Sequence, residues 1–159
     1  MSVDEPLAEN RRRHVYDLLD ELKVMYGLNP ELSEDGTPWG MMRVERELGV
    51  DVVVCLLSHD AGHSTEAYLV ALHELGHLML LRTSSGEWDA NATDNVTDAD
   101  REAMAWGWAL GNAKYPHGHE LDQQDYRDIL SHLNTYRSRR WEAMESRLRA
   151  LAAQCNPVL

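Results

Sequence analysis

The sequence predicts a mainly helical α+β domain with a small β-sheet, on three observations. Apolar residues recur at helical spacing in several long stretches, one short run is rich in β-branched residues, and nothing marks a second domain. The 159 residues suit one domain with a real core, and 43% apolar with 26% charged residues is the balance of a soluble globular chain. Residues 1–159 are therefore expected to form one unit.

Each element has its own signal. Val15, Leu18, Leu19, Leu22, Met25 and Tyr26 predict an amphipathic helix from Glu5 to Gly27, stopped by Gly27 and Asn29-Pro30. A shorter helix is expected over Pro38 to Leu48, with Pro38 in its first turn and Gly49 ending it. Val50 to Leu57 holds three consecutive valines and reads as a strand, with partners expected near Glu87 to Ala90. Ser64 or Thr65 can cap a helix running to about Arg82. That helix is apolar nearly all round, from Tyr68 to Leu81, so it should be buried. Ser84 to Val96 is a polar loop. Thr97 or Asp98 can cap a fourth helix to about Leu110, stopped by Gly111, with acids in its first turns where the helix dipole favours them. Two further helices are expected within about 119–155: His119 to Leu133 and Thr135 to Gln154.

Charge and composition exclude several classes. A net charge of −12 argues against a nucleic-acid surface, because neutralising phosphates needs Lys and Arg. Two basic patches run against this trend, Arg11 to Arg13 and the set Arg137, Arg139, Arg140, Arg147 and Arg149, and both read as solvated helix faces. No apolar run is long enough to span a membrane, and the polar start of the chain is not a secretory signal. Cys55 and Cys155 stand in no metal or redox spacing, so reduced thiols and a cytoplasmic location are expected.

The chemistry-bearing motif is His73-Glu74-Leu75-Gly76-His77, inside the apolar helix and within a motif-bearing core of about 38–113. Positions i and i+4 share one helix face, so both imidazoles can meet one zinc ion. Glu74 is offset by one residue, where a carboxylate can take a proton from an activated water without becoming a ligand. Gly76 removes a side chain between the ligands and would let another backbone or a substrate approach closely. Two imidazoles and a carboxylate would be costly in an apolar helix without a partner, and a metal supplies one. Zinc needs a third protein ligand. A third His six residues on would require Gly at position 80 and His at 83, but Leu80 and Thr83 stand there. Glu102 is the better candidate, because Ala103, Ala105, Gly107 and Ala109 around it allow close helix packing. Asp98 and Asp100 are rivals that also suit a helix N-terminus, and the loop acids Glu87, Asp89 and Asp94 rank behind them.

His73-Glu74-Leu75-Gly76-His77 followed by Glu102-Ala103-Met104-Ala105-Trp106 resembles the ImmA/IrrE family of metallopeptidases. In that family a His-Glu-Leu-Gly-His helix precedes a helix carrying Glu-Ala-Asn-x-Phe-Ala. Its Glu is the third zinc ligand. Here Met104 stands for the Asn and Trp106 for the aromatic residue. The upstream Arg46-Glu47-Leu48-Gly49-Val50-Asp51-Val52 is similar to the family's helix-Gly-strand lead-in, so the resemblance covers about Met42 to Leu110. It is nearest the short, phage or mobile-element members. It implies a zincin-like fold, Zn2+ held by His73, His77 and Glu102, and Glu74 as the catalytic residue. It further implies cleavage of a protein substrate, a DNA-binding repressor of a mobile element or stress response. The alternative is a zinc-containing module that grips such a repressor without turnover.

Further residues are candidates for stabilising an oxyanion. His59 and His63 precede the motif helix and flank the turn Asp60-Ala61-Gly62. Tyr115, His117 and His119 surround Pro116 and Gly118. The tryptophans, Trp106 among them, read as core or interface residues.

Overall fold

The computed structural model describes residues 5–33, 36–83, 85–89 and 91–113. The helices expected within about 119–155, with Tyr115, His117, His119, Cys155 and the C-terminal arginines, lie outside these residues. The architecture is α+β. It comprises α1 (Glu5–Glu21), β1 (Met25–Leu28), β2 (Gly40–Glu47), β3 (Val50–Leu57), α2 (Thr65–Leu80) and α3 (Asp98–Ala113), with one 3-10 turn at Pro30–Leu32. The sheet order is β1-β3-β2, with β1 parallel and β2 antiparallel to β3. No described helix is long and apolar enough to cross a membrane.

The first helix is shorter than its apolar spacing predicts. It ends because Lys23 takes the left-handed conformation, φ 57°, which Gly usually occupies. Val24 N–H then donates to the Leu19 carbonyl and Lys23 N–H to that of Asp20, closing a Schellman motif, while Val24 and Leu19 are both buried. The chain emerges extended, so Met25 and Tyr26 belong to β1 rather than to a helix face.

The helix expected over Pro38 to Leu48 is instead strand β2. Leu48 and Gly49 both have positive φ, 50° and 80°, and Glu47 pairs with Val50 across them, so this is a two-residue hairpin. The hairpin supplies β3 with its antiparallel partner. Met42 and Val44 pack towards the core, while Arg43 and Glu45 pair with each other on the opposite strand face. The partner expected near Glu87 to Ala90 reduces to a single bridge between Arg82 and Trp88, outside the sheet. β3 itself has the predicted bounds, and its alternate residues Val53, Cys55 and Leu57 are buried.

Ser64 caps α2 by accepting from Ala67 N–H at 3.0 Å. Ten of its residues are buried, from Ala67 to Leu78, which makes it the centre of the core. The Thr97 hydroxyl accepts from Asp100 N–H and caps α3. That helix runs past Gly111 to Ala113.

The Arg11 to Arg13 patch is structural. Arg11 donates to the Thr65 hydroxyl, Arg12 pairs with Asp60 and Glu9, and Arg13 reaches Glu9. Asp60 thereby ties α1 to the turn before α2. Its carboxylate accepts from Arg12 Nε at 2.8 Å, the Tyr16 hydroxyl at 2.5 Å and Gly62 N–H at 3.1 Å. Burial opposes its charge, but these donors outweigh burial and hold its pKa below the usual value. A lowered carboxyl pKa contributes stability above the unfolded value, and that stability disappears as pH falls through the folded one. Asp60→Asn is therefore expected to cost roughly 1.5–3 kcal/mol at neutral pH, the value of hydrogen bonds to a charged group. The cost should shrink as Asp60 protonates in acid. Urea unfolding of both proteins at pH 7 and in acid measures this, and equal losses at both pH values would refute it.

Candidate metal centre

α2 presents Val70, His73, Glu74 and His77 along one side, with its C-cap Leu81 next in line, since i+3 and i+4 steps keep a helix face. α3 packs against that helix closely because of Gly76. A Cβ there would overlap the backbone of Ala105, and only Gly admits the contact. The small buried residues Ala103, Ala105 and Ala109 continue the packing seam. Gly76→Ala is expected to force the helices apart. Over-packing of this kind costs ~1–3 kcal/mol, and it should also weaken metal uptake. Denaturant unfolding with a metal titration checks both; parent-like stability and uptake would show that the seam yields.

The close approach delivers Glu102 to the histidines. His73 Nε2 lies 2.6 Å from Glu102 Oε2, and His77 Nε2 lies 3.2 Å from Glu102 Oε1. Ligand atoms of the three residues fall within 4.8 Å of one another, so the group could hold a metal ion. Of the acids left open by the sequence, Glu102 joins the histidines. Asp98 has an 87% exposed side chain and pairs with Arg101 instead. Glu87, Asp89 and Asp94 are exposed, and with Asp100 they stand outside the group.

Without an ion, burial disfavours charge on both partners, yet their mutual hydrogen bonds prevail. His73 is raised to about 9 by Glu102 and Glu74 despite its burial. Glu102 is lowered to about 2 by His73 and His77 despite its own.

Glu74 is buried beside this group, with Oε1 at 3.5 Å from His73 Nδ1. Gly40 in β2 makes room for it, since a Cβ at Gly40 would lie 2.6 Å from Glu74 Cγ. A strand glycine often marks such an approach, but the sequence predicts a helix over Pro38 to Leu48, so Gly40 gives this sign only once β2 is seen as a strand. Glu74, His73, His77 and Glu102 line a cleft of about 590 Å³. Its walls include Pro38, Trp39, Gly40, Met41 and Met42 from the β2 side, and Thr93, Asp94, Asp98, Arg101 and Trp106 from the α3 side.

His59 and His63 are elsewhere, in the turn, with rings 4.8 Å apart; the Ser58 hydroxyl bonds His59 Nδ1 at 2.7 Å. Neither lines the cleft. Trp106 is buried as a core residue should be, but it also stacks on His73, which spacing alone does not reveal.

No protein-family model, curated protein or solved structure matches this chain. The likeness to metallopeptidases rests on the motif residues themselves.

Proposed function

We propose that the chain is a zinc-dependent peptidase of zincin-like fold, with His73, His77 and Glu102 as ligands and Glu74 as general base. One observation carries the reading: His73, His77 and Glu102 converge within 4.8 Å in a cleft that also holds Glu74. Two imidazoles and a carboxylate are a donor set zinc favours, and three protein ligands leave one position open. Ligands of a tetrahedral zinc lie about 3.4 Å apart at ordinary bond lengths. The 2.6 and 3.2 Å from the two histidines to the two oxygens of Glu102, and the 4.8 Å within which all three donors lie, bracket that spacing.

Zinc in such a site supplies a Lewis acid and lowers the pKa of a water toward ~7. Glu74 would accept a proton from the attacking water on its carboxylate as that water adds to the peptide carbonyl. It would then pass that proton to the amide nitrogen as the C–N bond breaks, and the water's second proton would follow from the new carboxyl group, leaving an ammonium and a carboxylate.

The cleft suits an extended chain. Successive strand residues point to opposite faces, so Gly40, Met41 and Met42 can all line one cleft only where it follows the strand's edge. Among the described strands β2 pairs with β3 alone, leaving that edge open to an added strand. From Val70 to Leu81 the helix spans about 16 Å, room for about five extended residues. This shape favours a polypeptide substrate, and the resemblance suggests a DNA-binding repressor.

Elemental analysis of protein purified without added zinc, then mass spectrometry of unfolded protein substrates incubated with it, tests the reading. Near-stoichiometric zinc and internal cleavage are expected. Metal at a small fraction per chain would end the metal reading, and zinc without cleavage would leave the gripping module.

A further inference from the structure

His73 is constrained from several directions. Its Nε2 faces Glu102, its ring meets His77 edge-on with centroids 4.5 Å apart, and one face lies flat on the Trp106 indole. That stack has centroids 4.3 Å apart and planes 11° from parallel. A ligating histidine is usually oriented by a hydrogen bond from its other ring nitrogen to a carboxylate or backbone carbonyl. Beside His73 Nδ1 stands Glu74 at 3.5 Å, beyond good hydrogen-bond length. A general base must also turn towards its water, so it cannot serve as a fixed strut.

Trp106 is well placed to do the orienting. It follows Glu102 by one turn of α3, so one helix face carries both ligand and plate. It is 2% exposed, and the neighbouring Ala105 backbone is seated on Gly76. We propose that Trp106 is a positioning residue of the metal centre, whose indole plate holds the His73 imidazole in its ligating orientation and leaves Glu74 free for proton transfer. The inference rests on the metal-centre reading above.

Trp106→Phe and Trp106→Leu in the full chain test it. Zn2+ affinity is read by competition with a chromophoric chelator, and ligand geometry by the visible spectrum of the Co2+ form. Phe keeps a ring face and should stay close to the parent in both. Leu keeps apolar bulk without a plate and should lose roughly 10–100-fold in affinity, the scale of losing an orienting partner. Its Co2+ bands should also shift. A folded Leu variant with parent affinity and parent bands overturns the proposal. Should Leu not fold, the parent's histidine ring protons decide: the indole ring current should move those of His73 upfield of those of His77. Equal shifts overturn the proposal. A parent chain that takes up neither metal overturns the metal-centre reading and this inference together, whereas metal uptake with an indifferent Leu variant overturns the inference alone.

Discussion

Glu74→Gln is expected to lower peptide hydrolysis by roughly 10²–10⁴-fold, the range for losing a general base, while zinc stays bound. The amide is nearly isosteric with the carboxylate, so it fits the space that Gly40 leaves beside the side chain. It cannot accept a proton from water. The three residues grouped as a metal site do not include Glu74, so zinc content should be unchanged. The loss should fall on kcat with KM little altered, because the cleft walls are intact. Steady-state kinetics beside elemental analysis give both numbers. A variant that keeps zinc and full biological effect would end the peptidase reading in favour of a module that grips its target. A variant that loses zinc would reassign Glu74 to the metal.

What the sequence disclosed and what it hid divide along physical lines. Helical spacing made α2 and its two histidines legible, because a buried helix leaves an unbroken apolar pattern. The small residues near Glu102 exposed the packing seam, and Gly76 against Ala105 is the contact they prepare. β3 was legible from its valines, but its partners were not. β2 is built of Met, Arg and Glu, good helix formers, and its hairpin turns on Leu48-Gly49 rather than on Asn-Gly. β1 was hidden because Lys23 holds a conformation that Gly usually takes, so the helix end carried no visible stop. Tertiary pairing decided both segments against their local preference. The stack of Trp106 on His73 is likewise a product of helix packing that no spacing within one element encodes.

Zinc uptake near neutral pH should release about one proton per ion from His73, and Glu102 is the reason. Beside Glu102 and Glu74, and against the effect of its burial, His73 is raised from 6.5 to about 9, so the metal-free protein holds it protonated at pH 7.5. A ligand nitrogen must be free of its proton, so binding expels it. Affinity should then rise about tenfold per pH unit and level off above the raised His73 value. Stability of the metal-free fold runs the other way. The raised His73 contributes fully below 6.5 and fades as pH climbs through about 9. The lowered Glu102 contributes above 4.5 and fails only as pH drops through about 2. The gap in thermal stability between loaded and metal-free protein should therefore widen from pH 6.5 to 9. Glu102→Ala removes both the proposed third ligand and the partner that keeps His73 protonated. It should weaken zinc by more than the roughly 10–100-fold that an outer partner costs, and it should also reduce proton release from His73. Calorimetry in buffers of different ionisation enthalpy counts the protons. Uptake without proton release at pH 7.5, or release unchanged in Glu102→Ala, would mean that the ion does not displace the His73–Glu102 pair.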